Sequence, residues 1–241
     1  MRTICGFGRQ VVGLASRLLP RRSSSPAGFS GSATATTRRP LLSDRLGPQQ
    51  HAGVVLDQVD GTTCGSAVLV ALAAWADPTE LERLEQVPVG GQLLATGPTG
   101  ADGFGPRYDA RQKQVHKEST RFWPQALGTS PWGMTRWLRQ HAASAGPYRV
   151  RLVDDADPAD VDAALAAADS ALTAGRPVPL LVGAFVPRHY CLALSRQDDG
   201  RWRVYEPTSG QVRVLDLGLV RRRSLRGVLG FDHLHALLLP T

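Results

Sequence analysis

Cysteine is scarce in this chain: Cys5, Cys64 and Cys191 are the only three in 241 residues. Three thiols cannot build a disulfide framework, and so low a number points to a reducing compartment, the cytoplasm, where a thiol stays free to react. No run of 18 apolar residues occurs, which excludes a membrane-spanning helix. A Gly-rich phosphate loop is absent, as is any internal repeat. His116, His141, His233 and His235 lack metal-ligand spacing to the cysteines, so neither a cofactor nor a metal is expected.

What the chain does have is positive charge, +7 overall, and that charge is unevenly placed. Residues 1–50 hold Arg2, Arg9, Arg17, Arg21, Arg22, Arg38, Arg39 and Arg45 against Asp44 alone, a balance of +7; the remaining 20 basic and 20 acidic residues cancel. A nucleic-acid surface on the folded part therefore has no compositional support.

The basic stretch divides in two. Residues 20–50 are small, polar and Pro-rich, with too little apolar surface to offset their ordering entropy, and are expected to be disordered. Ahead of them, Ile4, Phe7, Val11, Val12, Leu14, Leu18 and Leu19 are spaced to share one helical face. Gly6, Gly8, Arg9 and Arg17 interrupt the apolar core that a secretory signal needs. An organelle transit peptide, a weak membrane-surface helix and a plain basic extension that touches acidic partners stay open. The organisation expected is a disordered extension over 1–50 and one domain over 51–241.

Within the domain, a turn at 61–65 leads into Ser66–Ala76, apolar nearly all round, as in a buried central helix; Asp77-Pro78 ends it. Further helices are expected at Thr79–Gln86, Arg107–Phe122, Trp132–Ala143 with Ser130 as cap, and from Asp157-Pro158 to Thr173. A Gly- and Pro-rich loop over 88–106 interrupts this series. After Gly175 the pattern changes to short strands at Val178–Val186, His189–Ser195, Arg201–Tyr205, Gln211–Leu217 and Leu234–Leu239. Helices first and an antiparallel meander second make an α+β fold, with the helices against one face of the sheet.

Cys64 opens the central helix, where unpaired N–H groups and a partial positive charge favour a thiolate. Gln58, six residues upstream, can donate an amide N–H to an oxyanion beside the Cys64 N–H. His189 begins a strand after a proline and is the candidate acid and base. Glu206 ends the next strand, where a hairpin brings it close enough to orient His189. Taken singly, each has a plain alternative: a packed thiol, a half-exposed surface histidine, a glutamate that starts a turn. Cys191 shares a strand face with His189 and is read as a buried structural cysteine, with a disulfide to Cys64 as the lesser alternative. Trp123, Trp132 and Trp137 are read as core or groove wall, Arg221–Arg223 as a solvated loop, and Gly90-Gly91 as a chance pair in a loop.

The segments Asp57-Gln58…Thr63-Cys64-Gly65, His189-Tyr190 and Tyr205-Glu206-Pro207…Gly210 together resemble a papain-like cysteine peptidase, and more narrowly the C39-like peptidase family. Leu127-Gly128-Thr129-Ser130-Pro131-Trp132-Gly133 resembles the Gly-Thr-Ser turn ahead of a helix in such domains. The resemblance spans about residues 54–218 and implies a papain-like fold, with a Cys-bearing helix on a C-terminal antiparallel sheet. It implies Cys64 as nucleophile, His189 as general acid and base, Glu206 as the orienting residue, Gln58 in the oxyanion hole and a peptide or protein substrate. The family has Asp or Asn where this chain has Glu206, one methylene longer. Amidase or transglutaminase-type acyl transfer, and a catalytically inactive peptide-binding domain, stay open beside hydrolysis of a peptide or isopeptide bond.

Overall fold

A computed structural model describes residues 3–9, 40–86, 103–121 and 128–241. The chain has a mixed α+β fold built on a large antiparallel sheet. Helix α1 (Cys64–Ala76) is buried along almost its whole length, and only Trp75 is partly open. It stops at Asp77, whose extended backbone precedes a proline. The Asp77 carboxylate then caps α2 (Pro78–Glu85), accepting from Thr79 N at 2.9 Å, so one residue ends a helix and begins the next. Helices α3 (Phe104–Ser119) and α4 (Pro131–His141) follow, the latter capped by Ser130 Oγ accepting from Gly133 N at 3.1 Å. Helix α5 (Pro158–Thr173) is capped by Asp157 and stops before Gly175, which takes φ +71°.

The strands are β1 (Gly47–Pro48), β2 (Gln50–His51), β3 (Val54–Val55), β4 (Tyr148–Leu152), β5 (Val178–Gly183), β6 (Pro187–Arg196), β7 (Trp202–Glu206), β8 (Gln211–Leu215) and β9 (His233–Pro240). Seven of them form one sheet in the order β1-β8-β7-β6-β5-β9-β4, antiparallel throughout. The meander β5 to β8 is its centre, and β9 returns to the free side of β5. Two short helices, α6 (Leu217–Arg221) and α7 (Arg226–Leu229), join β8 to β9.

Alternation along the strands sends side chains to two separate cores. Leu181, Tyr190, Leu192, Tyr205 and Leu238 face α1, α3 and α4. Leu180, Val182, Ala193, Val204 and Leu237 face α5, through Val161, Leu165, Ala168 and Leu172. Helices thus cover both faces, which corrects the expected single-face packing. The cause is visible in β5, whose six residues are all buried: a strand covered on both sides reads as a continuous apolar run, with no alternation to reveal the second layer.

Four further differences concern segments of weak pattern. Strand β4 lies in a stretch the sequence leaves unassigned; its sequence Tyr-Arg-Val-Arg-Leu sits at the sheet margin, where only Tyr148 is fully buried. Arg221 ends α6 and pairs with Asp162 at 2.8 Å rather than lying in a loop. Helix α3 begins three residues before the expected Arg107, inside the stretch read as the Gly-rich loop; the rest of that loop, Gly90-Gly91 and Trp123 lie outside the described residues. The domain also starts earlier than residue 51. Leu41, Leu42 and Gln49 are buried, β1 pairs with β8, and Gln49 N donates to Gly210 O at 2.8 Å. Apolar burial and strand pairing together hold this end of the basic stretch on the sheet edge. Residues 4–9 are helical and docked, which corrects the disorder expected for the start of the chain: Ile4 N donates to Phe185 O and Arg9 pairs with Asp160 at 3.2 Å, while Ile4 and Phe7 themselves stay exposed. Residues 10–39 lie outside the described part.

A chain begun at residue 51 is expected to be less stable than one begun at residue 40 by about 3 kcal/mol or more, from the loss of Leu41 and Leu42 burial. Urea melts of the two truncations at equal concentration measure this; coincident midpoints refute the packed role of 40–50.

Candidate active site

Cys64 is the first residue of α1 and is buried. Thr63 at the N-cap makes no side-chain cap; its hydroxyl is taken up by Asp60, accepting from Asp60 N and donating to Asp60 O, both at 3.0 Å. The first-turn N–H groups of α1 are therefore left without a capping side chain beside the Cys64 thiol. Gly65 allows the approach of the neighbours: a Cβ there would lie 3.1 Å from Thr129 Cβ and 3.3 Å from Tyr190 Cδ2. The Gly128-Thr129-Ser130 turn and the Tyr190 ring thus press directly on the helix start. Its serine caps α4, and Thr129 Oγ1 hydrogen-bonds Ser119 Oγ at 3.0 Å.

His189 lies on β6 opposite Val182, just past an irregularity in the β5–β6 pairing. Its Nε2 is 2.7 Å from Glu206 Oε1, and both side chains are buried. The Cys64 and Cys191 thiols both interact with the same imidazole. The structure therefore brings Cys64, His189 and Glu206 together, and adds Cys191, with ligand atoms of His189, Cys191 and Glu206 all within 4.8 Å of one another. Pairing of Leu192 with Tyr205 means that one further step along β6 and β7 sets Cys191 beside Glu206.

Glu206 is the most heavily bonded side chain of the group. Besides His189, it accepts from Thr208 N at 2.8 Å, Ser209 N at 3.0 Å and Ser209 Oγ at 2.7 Å, and Arg213 Nη2 stands 3.8 Å from Oε2. Burial alone would raise this carboxyl, but the donors from His189, Ser209 and Thr208 outweigh it and hold Glu206 down to about 2. For His189, burial works against a charged ring, while charge at Cys191 and hydrogen bonds to Cys191, Cys64 and Glu206 prevail and raise it. Burial also raises the Cys191 thiol, against the pull of the neighbouring His189. The extra methylene of Glu206 is accommodated by the 206–210 turn, which wraps three donors around the carboxylate.

Gln58 sits on the approach to Cys64, alongside this turn. Its backbone N donates to Pro207 O at 2.9 Å and its Oε1 accepts from Thr208 Oγ1 at 3.3 Å, while its amide Nε2 donates to Asp60 O at 2.7 Å. Gln58 is thus tied to the Glu206 turn, with an amide N–H committed to the loop ahead of Cys64. Two neighbours carry little signal in the sequence. Tyr190 has a buried hydroxyl with no hydrogen-bond partner among the described residues; burial, then the Cys64 and Cys5 thiols, pushes it well above the ordinary tyrosine range. Ser209 and Thr208 read only as turn residues. Of the tryptophans, Trp137 is core and Trp132 is 59% exposed.

Among the described residues no helix is long and apolar enough to cross a membrane. Comparison of the chain with family models, with curated proteins and with solved structures finds no match.

Replacing Glu206 with Gln removes a buried charge from a set of fixed donors and is expected to cost about 3 kcal/mol at pH 7. Because the Glu206 carboxyl is depressed in the fold, its contribution is complete above the unfolded value of about 4.3 and fades as pH falls toward about 2. The stability gap between wild type and Glu206→Gln should therefore narrow steadily from pH 5 to pH 2.5 in urea melts. A gap independent of pH over that range contradicts the charged state assigned to Glu206.

Proposed function

We propose that the chain is a thiol-dependent hydrolase, with Cys64 as nucleophile, His189 as acid and base, and Glu206 as the residue that orients His189. More particularly, we take it to be a papain-like, C39-like cysteine peptidase that works in the cytoplasm on a peptide or protein substrate. The observation that carries this reading is the His189 Nε2 to Glu206 Oε1 contact of 2.7 Å on a ring that also meets the thiol at the start of a buried helix.

In this reading the Cys64 thiol proton passes to His189, and the sulfur attacks the substrate carbonyl carbon. The Cys64 N–H donates to the developing oxyanion. Gln58 joins it on exchanging its bond to Asp60 O for one to the oxyanion. His189 then gives its proton to the departing amine, leaving a thioester on Cys64. Water, deprotonated by His189, attacks the thioester; the acid leaves, and the thiol is restored. Through both halves Glu206 stays ionised and holds the ring by Nε2, as the bonds from Ser209 and Thr208 favour.

Cys64→Ala should lower turnover of a reporter peptide at least about a thousand-fold and leave the melting temperature within about 2 °C. Independently of any substrate, iodoacetamide should modify Cys64 faster than a free thiol at pH 6 to 7, and His189→Ala should remove that advantage. Undiminished hydrolysis by Cys64→Ala, or free-thiol reactivity at Cys64 in the wild type, would overturn the reading. The second result would favour an inactive peptide-binding domain, for which the engaged Gln58 amide is the specific support.

A further inference from the structure

Cys191 has no part in the chemistry above, yet it is fully buried and lies against both members of the His189–Glu206 pair. One ligand atom from each of His189, Cys191 and Glu206 falls within 4.8 Å of the other two, and all three residues are buried. We propose that these three side chains form a binding site for a borderline-soft divalent cation, zinc being the type, which shuts off the catalytic pair by occupying it.

The spacing suits one ion. Zinc holds sulfur at about 2.3 Å and nitrogen or oxygen at about 2.0–2.2 Å, so neighbouring donors in a tetrahedral site stand roughly 3.3–3.7 Å apart. Bringing donors from 4.8 Å or less to that separation takes about 1 Å of side-chain movement. The donor set selects the metal. A thiolate is a poor ligand for calcium or magnesium, whereas nitrogen, sulfur and oxygen together suit zinc with three protein ligands and a fourth position for water or another donor. Cys64, whose thiol meets the same imidazole, faces the site from α1.

The charges also close. As the ion enters, Cys191 gives up its thiol proton and the His189 imidazolium the Nε2 proton it donates to Glu206 Oε1, which leaves a neutral ring with its proton on Nδ1. Two protons leave for the two charges that arrive, and the thiolate and carboxylate neutralise the ion among buried side chains. Ser209 and Thr208 already fix the Glu206 carboxylate, as the outer hydrogen bonds of metal-bound carboxylates do. With the ion in place His189 has no Nε2 to share with Glu206 and cannot carry protons for Cys64. That last consequence rests on the hydrolase reading; the binding of the ion does not.

The test uses the full chain, freed of metal by a chelator and titrated first with Co²⁺ and then with Zn²⁺. Wild type should bind one Co²⁺ with a sulfur-to-cobalt charge-transfer band in the near ultraviolet, and Zn²⁺ should displace it. The band should persist in Cys64→Ala and vanish in both Cys191→Ser and Cys191→Val. Zn²⁺ affinity should fall at least about 100-fold in those two variants, more than the loss of an outer hydrogen bond brings. Two replacements of different polarity, each checked by near-ultraviolet circular dichroism, guard against a variant that fails to fold. No binding by wild type, a band that survives in both Cys191 variants, or a band lost in Cys64→Ala overturns the site. Zinc binding as described in a protein without hydrolytic activity would leave the site standing and remove only the hydrolase reading; an active protein indifferent to zinc would do the reverse.

Discussion

The fold around the candidate site depends on one buried charge, the carboxylate of Glu206. An ionised group out of water is tolerated only when each lone pair has a donor, and here His189, Thr208 and Ser209 supply them. Satisfying that charge dictates the shape of the 206–210 turn. Gly210 must take φ +62°, where a side chain would meet Val55 and the Leu56 carbonyl. The strap of residues 47–58 then threads close beside it, bonded through Gln49, Gln58 and the Tyr205 hydroxyl to Leu56 O at 2.6 Å. One electrostatic requirement thus places the end of β7, the β7–β8 turn and the loop that leads to Cys64.

The two cores explain why that arrangement is stiff. Helix α1 is apolar around its whole circumference, so it needs helices on its outer side as well as the sheet beneath, and α2, α3 and α4 supply them. On the opposite face α5 closes over β5, β6 and β9. Strand β6 lies in the middle of the sheet with both faces covered, and its start carries His189 to the rim, where the helix start and the strand end converge. A rigid strand and a rigid helix meeting at one imidazole hold it better than two loops would.

The charge of the basic stretch looks different once its ends are seen. Arg9 pairs with Asp160, which also binds Arg151, and Asp44 receives Arg203. These contacts are partly exposed and worth little singly. Apolar burial of Leu41 and Leu42, with the pairing of β1, fastens residues 40–50. None of this places a basic surface beside Cys64.

The sequence by itself determined the local structure. Caps at Asp77, Ser130 and Asp157, the proline after Asp77 and the change of period after Gly175 are signals carried by neighbouring residues, and the helices and central strands follow them. It also singled out Cys64, His189 and Glu206, because a helix start and two strand ends are local features too. Layering and proximity were decided by the tertiary structure alone. That α5 covers the second face depends on where a doubly buried strand sits, which its unbroken apolar run conceals. The strand at 148–152 exists because β9 offers it an edge. Cys191 reads as one more buried thiol until the register of β6 on β7 puts it beside Glu206. Pairing between strands distant in the chain is a property of the whole sheet, and no stretch of residues carries it.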